Sequence, residues 1–304
     1  MLRSSAFAGA VLLILTPIEA QNRGVYPLGM SAVNSGLMPA PGFTYANQLL
    51  TYSRDVAKAD DGSTLPMRGS NTVVMDMNTF AWASESTVLG GARFAASATL
   101  PFAKNDLTSD LNGNLSGGAG FADSYYLPLI LGWNEERVAF RVLFGFLAPT
   151  GRFAVESSSN VGSGYWTLAP SAGQTFYLTR GKSLALSLYE MYEFHTTQEG
   201  TRTNPGDTFD LDYSLMQSFA VAKSRWRLQI GVVGYEARQT TARTGPEVTP
   251  EDSKTRYAIN ALGFAANLAL PVRRLSFGVR GFKEFADRST FQGISLQFSA
   301  SVGF

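Results

Sequence analysis

The chain has 304 residues, with 25 Lys and Arg against 24 Asp and Glu, so its formal net charge is +1. This balance excludes a polybasic nucleic-acid-binding protein, because such proteins gain their affinity by neutralising many phosphates. The absence of Cys excludes disulfide scaffolds, thiol catalysis and Cys-ligated zinc, and the single His excludes a His-rich metal site. We therefore expect no cofactor and no metal.

The composition combines little charge with little net hydrophobicity. Charged residues make up 16% of the chain, below the roughly 25% of soluble proteins, and 45% of the residues are apolar. The chain also has 30 glycines and 12% aromatic residues. A membrane barrel that is apolar outside and polar inside averages to such values, whereas a helical membrane protein is more apolar.

The first residues have the pattern of a cleaved secretory signal peptide. Arg3 precedes a ten-residue apolar run, Ala6–Leu15, and Thr16–Ala20 then ends in a small residue. A membrane-spanning helix needs about 20 apolar residues, so this run is too short to be one. We predict that residues 1–20 are an export signal, which leaves residues 21–304 as the mature chain.

Residues 21–41 show no strand pattern, although they include apolar residues such as Tyr26 and Leu28. A disordered leader would be poorer in such residues. Two interpretations follow for this periplasmic N-terminal segment. It enters the barrel from the periplasmic side as a plug of the lumen, or it is a loose tail.

From residue 42 onward, apolar and polar residues alternate in many segments, as they do in strands with one apolar and one polar face. The clearest runs are Phe94–Phe102, Tyr125–Trp133, Arg137–Leu147, Thr208–Ala222, Trp226–Val232, Leu275–Arg280 and Gly293–Phe304. Weaker runs are 43–53, 72–83, 166–177, 184–195 and 255–270. At about 3.3 Å per residue, the last clear run is long enough to cross a tilted apolar band of about 25 Å.

The predicted connections between these strands alternate in length. Long links are predicted at 54–71, 103–124, 148–165, 196–207 and 239–254, and short links at 84–89, 134–136, 178–183, 223–224 and 271–274. Bacterial outer-membrane barrels have long outer loops, short periplasmic turns and an even number of strands. We therefore predict that residues 42–304 form an all-β fold, a transmembrane antiparallel up-and-down β-barrel of about 12 strands in the outer membrane.

Three tryptophans, Trp82, Trp133 and Trp226, lie beside predicted short turns, as a periplasmic aromatic girdle would require. Trp82 shares its strand phase with Asp76 and Asn78, so it either follows a bulge or points inward. The polar phase of the strands is expected to line the lumen, either as a filter or binding site or as pairs that fill the interior. The charged residues in that phase are Arg93, Arg137, Arg141, Arg225, Arg227, Arg280, Asp76, Asp210, Asp212 and Glu284.

Several Gly, Pro and aromatic motifs resemble those of a known family. They are Tyr-Pro-Leu-Gly at 26–29, Pro-Ala-Pro-Gly at 39–42, Gly-Phe-Ala-Asp at 120–123, Leu-Gly-Trp at 131–133, Pro-Thr-Gly-Arg-Phe at 149–153 and the stretch 160–166. With these motifs, the mature chain resembles the meta-pathway phenol-degradation (MetA-pathway) family of outer-membrane β-barrel transporters. The resemblance implies passage of aromatic or other hydrophobic compounds across the outer membrane.

The sequence thus predicts a channel for passive passage of small hydrophobic or aromatic solutes. Aromatic residues at the outer rim would capture a ring, which would then move through a constricted lumen or leave sideways between strands. The candidate residues for passage are Arg93, Arg141, Asp210, Asp212, Arg227, Arg280, Phe153, Tyr165, Trp166, Tyr189 and Tyr192. The expected partners are outer-membrane lipids, these solutes, and the barrel assembly machinery, which would act on the terminal strand that ends at Phe304. No nucleic acid is expected as a partner.

Two other classes remain open from the sequence. One is an outer-membrane hydrolase that uses His195, which ends a predicted strand at the outer rim near Glu193 and Thr196. General-base catalysis needs a hydroxyl within reach of the imidazole and a group that orients it. The other class is a structural or loop-presenting barrel without transport.

Overall fold

The computed structural model of the chain describes residues 24–110, 113–155, 157–221 and 225–304. The predicted signal peptide, residues 1–20, lies outside the described residues. The strands are β1 Gly42–Lys58, β2 Thr64–Thr87, β3 Arg93–Ser109, β4 Gly113–Phe121, β5 Ser124–Asn134, β6 Val138–Ala148, β7 Thr167–Tyr177, β8 Leu184–His195, β9 Thr208–Ala220, β10 Arg227–Gln239, β11 Ala258–Leu270, β12 Leu275–Glu284 and β13 Thr290–Gly303.

The helical segments among the described residues are short. They are two 3-10 turns, Leu89–Gly91 and Pro271–Arg273, and the α-helix α1 Pro250–Lys254. None of the described helices is long and apolar enough to cross a membrane.

The sheet closes on itself because β1 pairs antiparallel with both β2 and β13. The other strands pair antiparallel in chain order, except that β3 pairs with β5 at its start and with β4 near its end. Twelve of the described strands therefore form the closed wall, and β4 extends the sheet at the outer end of β3. The predicted antiparallel barrel of about twelve strands is confirmed.

The two faces of the wall differ as a membrane barrel requires. Large apolar side chains are exposed on the outer face, among them Phe80, Phe102, Phe144, Leu168, Leu215, Ile230, Phe264, Phe277 and Phe298. Buried polar side chains lie on the inner face, among them Glu193, Asp210, Asp212, Arg280 and Glu284. The apolar belt faces hydrocarbon, so the wall is that of a membrane-spanning barrel.

Two of the predicted long links are largely strand. The interval 54–71 contains the ends of β1 and β2, with only residues 59–63 between them, and the interval 103–124 contains the end of β3 and all of β4. Both faces of a strand meet water beyond the membrane, so the apolar alternation stops although the backbone ladder continues. The prediction of loops there was wrong for this reason.

The prediction that Tyr125 to Trp133 share one face was also wrong. At Leu127 and Pro128, β5 has one extra residue relative to both of its neighbours, because its register shifts against β3 and against β6 at the same place. As a result Tyr125 and Leu127 pack against the interior, whereas Leu129 is 41% exposed on the outer face. Pro128 has no N–H to give to a ladder, which suits it to a bulge.

Asp76 was expected to face the lumen, and the structure places it on the outer face. The adjacent Met77 is buried in the interior, so the even-numbered positions of β2 point outward. There the Asp76 carboxylate accepts hydrogen bonds from the amides of Asn47, at 2.5 Å, and Asn78, at 3.3 Å. Trp82 has the same phase and is 40% exposed, so it faces outward without any bulge.

Candidate functional site

Residues Gly24–Pro41, here called the inner segment, lie inside the barrel. At the short-turn end, the backbone N–H of Gly36 donates a hydrogen bond to the hydroxyl of Thr175, near the end of β7. At the long-loop end, the backbone N–H of Gly24 donates to the hydroxyl of Tyr257, just before β11. The inner segment therefore extends along much of the lumen.

Two buried carboxylates hold the outer half of the inner segment. Glu193 accepts hydrogen bonds from the backbone N–H groups of Val25, at 3.0 Å, and Tyr26, at 2.7 Å. Asp212 accepts from the Tyr26 hydroxyl at 2.6 Å and from the backbone N–H of Gly29 at 2.8 Å. Burial, followed by the nearby charge of Asp212, raises the pKa of Tyr26 well above its usual value. The phenol therefore stays protonated and acts as the donor.

Other inward side chains bind the backbone carbonyls of the same segment. The Arg280 guanidinium donates to the carbonyl of Met30 at 2.8 Å, and the Gln297 amide donates to that of Leu28 at 2.7 Å. Predicted site residues Asp212 and Arg280 thus come together, and both bind the inner segment. Polar groups that would be costly to bury alone satisfy each other here.

Close backbone contact holds the periplasmic half of the inner segment. A Cβ atom on Gly36 would meet the backbone of Ala139 on β6, and one on Gly173 of β7 would meet the backbone of Ser35. Glycine is needed at these positions because the two backbones approach without room for a side chain. Close packing and hydrogen bonds to neutral side chains fix this half, whereas carboxylates fix the outer half.

The inner segment covers one side of the lumen more completely than the other. Across the middle of β8–β13, inward side chains such as Met191, Asp212, Val233, Tyr235, Ala261 and Phe282 are buried. On β2, β3, β5 and β6, several inward side chains keep solvent-accessible surface, and we call six of them the open wall. They are Thr79, Arg93, Ser97, Tyr125, Leu127 and Arg141.

An apolar groove of about 340 Å³ lies on the outer face beside the bulge of β5. Its sides are aromatic, formed by Phe80, Trp82, Tyr126 and Phe146, and its floor includes Ala96 and Ala98. Ser97 and Leu127 of the open wall also line it. The groove therefore reaches from the lipid side to residues that line the lumen.

The aromatic residues predicted to form one outer rim do not share a face of the barrel. Tyr165 is 2% exposed and packs edge-on against the His195 ring, with centroids 5.1 Å apart. Tyr189 is also 2% exposed and faces the lumen, where its hydroxyl donates to Ser171. By contrast, Trp166 is 49% exposed on the outer face.

The remaining passage candidates are also dispersed. Tyr192 faces outward and hydrogen-bonds the hydroxyl of Thr240, and Phe153 lies in the link between β6 and β7. Arg227 is exposed at the start of β10, at the short-turn end. Asp210 is buried beside Asp212 on the inner face, but no hydrogen bond to the inner segment is found for it among the described residues.

His195 is buried in the wall rather than exposed at the rim. Its Nδ1 lies 2.8 Å from the Thr167 hydroxyl, and its Nε2 lies 3.3 Å from a Glu193 oxygen. This series of hydroxyl, imidazole and carboxylate is the kind that a hydrolase uses. All three residues are at most 7% exposed, and Glu193 already binds the inner segment, so the series ties β7 to β8 instead of meeting a substrate.

No group of three or more His, Cys, Asp or Glu residues in the described parts of the chain could hold a metal ion.

Sequence reasoning missed Glu193 as an anchor and Tyr125 as a lumen residue. The signal for Glu193 was present, since it shares a strand phase with His195 and Tyr189. Tyr125 could not be placed, because the bulge at Pro128 reverses the phase of its strand.

Comparisons with known proteins agree with this fold. A family model described as "Putative MetA-pathway of phenol degradation" matches residues 53–300. No curated protein matches the chain. The crystal structure of an outer membrane channel from Pseudomonas putida F1 is similar, with a TM-score of 0.70 and 14% identity over 88% of this chain and 97% of that one. The β domain of the Bordetella autotransporter BrkA has a TM-score of 0.52 and 11% identity over 87% and 100% of the two chains. Identities this low show a shared fold.

Proposed function

The chain belongs to the family described as "Putative MetA-pathway of phenol degradation", and from this premise we propose that it is an outer-membrane channel for passive passage of small hydrophobic or aromatic compounds. The similar barrel from Pseudomonas putida is itself named an outer membrane channel. The observation that carries the proposal is the apolar groove beside the β5 bulge, since it lies on the lipid side and is lined in part by Ser97 and Leu127 of the open wall.

The inner segment is the constriction of this channel. It fills the lumen along β8–β13 and leaves the open wall on the opposite side as the route for a solute. A plug that is held by carboxylates and close backbone packing disfavours a wide aqueous pore. A small compound would instead move along Tyr125 and Leu127, which offer an aromatic and an aliphatic surface.

The groove supplies a sideways exit for an apolar compound. Ser97 and Leu127 line both the lumen and the groove, at the point where the register of β3 against β5 shifts by one residue. A ring in the groove would contact Phe80, Trp82 or Tyr126, and such contacts add about 0.5–1.5 kcal/mol beyond area burial. Transfer from water into this apolar site is favourable at about 25 cal/mol per Å² buried, so a compound would enter it spontaneously, and the concentration gradient would drive net passage.

Solute flux into proteoliposomes tests the proposal. A panel of labelled aromatic compounds is compared with polar compounds of similar size, and aromatic flux should be faster. Ala98→Phe, which fills the groove, should slow aromatic flux, whereas Ala266→Phe on the lipid face of β11 should not. Equal rates for both panels would reduce the protein to an unspecific pore, and no flux at all would favour a structural barrel.

A further inference from the structure

Two arginines face the lumen at the same level of the barrel wall. Arg93 on β3 is paired with Gly132 on β5, and Gly132 is paired with Arg141 on β6. Strands lie about 4.8 Å apart, so the two arginine backbones are about 10 Å apart with a residue that has no side chain between them. Both arginines belong to the open wall.

Neither guanidinium has an acidic partner among the described residues. The Nε atoms of Arg93 and Arg141 are both buried and make no hydrogen bond there. Arg54 shows the contrast, because it forms an ion pair with Glu284 at 2.9 Å, and Arg280 is close to Asp212 and bonds the inner segment. An unpaired cation in a lumen is costly and is usually matched by an anion.

The groups around the Arg141 guanidinium are aromatic rings rather than carboxylates. The electrostatic neighbours of its guanidinium are the phenols of Tyr26, Tyr125 and Tyr189. The Tyr125 hydroxyl is buried and interacts with the phenol of Tyr189. Neutral phenols stack on and hydrogen-bond to a ligand but cannot neutralise a guanidinium.

An apolar surface lies between the two arginines. The side chain of Met38, from the inner segment, occupies the space that a Cβ on Gly132 would take. A thioether makes favourable contacts with aromatic rings. This side of the lumen therefore offers two guanidinium groups, phenol rings and an apolar thioether contact.

We propose that Arg93 and Arg141 form a binding site for the carboxylate of a small aromatic acid, with the ring against Met38 and the tyrosines. A guanidinium binds a carboxylate through two parallel hydrogen bonds, so either arginine could hold the acid group. This inference rests on the proposed function, since it narrows the substrate class of the channel to aromatic compounds that bear an anionic group.

Calorimetric titration of the detergent-folded protein tests the site. Benzoate is compared with benzamide, a neutral molecule of nearly the same shape, and the wild type should bind benzoate at least about tenfold more tightly. Arg93→Gln combined with Arg141→Gln should remove this preference. Arg180→Gln combined with Arg273→Gln removes the same charge from exposed turns and should preserve it.

The outcomes separate this inference from the proposed channel. Equal affinity of the wild type for both probes overturns the site, whatever the folding of the variants. Preference for benzoate that survives in the folded Arg93 and Arg141 double variant also overturns it. If aromatic compounds pass but benzoate is not preferred, the proposed channel stands and only the arginine site is rejected. If benzoate binds but no compound passes, the arginine site stands and the channel is rejected.

Discussion

The hydroxyl of Tyr26 donates a hydrogen bond of 2.6 Å to Oδ2 of Asp212, and this contact joins the inner segment to the wall of the barrel. The same carboxylate accepts the backbone N–H groups of Gly29 and Ser31. One acidic side chain on β9 therefore organises a turn of the inner segment. Hydrogen bonds to a charged acceptor are about twice as strong as those between neutral groups. Substitution of Asp212 should therefore weaken the attachment of the inner segment more than loss of a neutral partner would.

We expect Asp212→Asn to loosen the inner segment without unfolding the barrel. The amide keeps the shape but loses the charge and one acceptor oxygen, so the opened population should rise roughly tenfold. Chymotrypsin cleavage after Leu28, followed by mass spectrometry, measures this. Asp210→Asn on the same face of β9 is the control, and equal cleavage in both variants would contradict the anchoring role.

Gly36→Val should displace the periplasmic half of the inner segment. A side chain there would meet the backbone of β6, which cannot move aside, and overpacking of this kind costs about 1–3 kcal/mol. Single-channel conductance in planar bilayers should therefore rise. Gly181→Val, in an open turn where a Cβ meets nothing within 4 Å, should leave conductance unchanged. No difference between the two variants would mean that the segment does not limit flow.

Arg54→Met should destabilise the folded barrel by about 3–5 kcal/mol, because it leaves the buried carboxylate of Glu284 without its ion-pair partner. Denaturant-induced unfolding in detergent, followed by gel mobility, measures the loss. Arg54→Met combined with Glu284→Leu should recover most of it, since the unpaired charge is then removed as well. A double variant no more stable than the single one would show that the pair is not the cause.

His195→Ala should lower stability by about 1–3 kcal/mol, because the buried Thr167 hydroxyl and Glu193 lose a partner. Aromatic flux, measured in proteoliposomes, should not change. If the wild type hydrolyses an ester panel and this variant does not, the hydrolase interpretation replaces the structural one.

The strands of this protein can be predicted from its sequence because the alternation of side chains depends only on neighbouring residues. Residues two apart on a strand face the same side, so alternation in Gly293–Phe304 or Thr208–Ala220 reports the wall directly. The opposition of Asp212 to Leu211 and Leu215 could therefore be assigned before the structure. The family motifs pointed to the same architecture, and the number of strands followed from the alternation.

The positions of Tyr125, Asp76 and the inner segment required the tertiary structure. Tyr125 faces inward only because one extra residue at Pro128 reverses its phase, and a bulge is defined by the neighbouring strands rather than by the strand itself. Asp76 is tolerated on the outer face because Asn47, from another strand, bonds its carboxylate.

The sequence by itself determined that a closed wall would form, since each strand carries its own apolar and polar faces. Only the tertiary structure decided what fills the lumen. Glu193 and Asp212 lie more than 160 residues from the backbone groups that they bind, and closure of the barrel alone brings them together. The physical reason is that strand period is a property of adjacent residues, whereas the partner of a buried charge depends on the geometry of the whole cylinder.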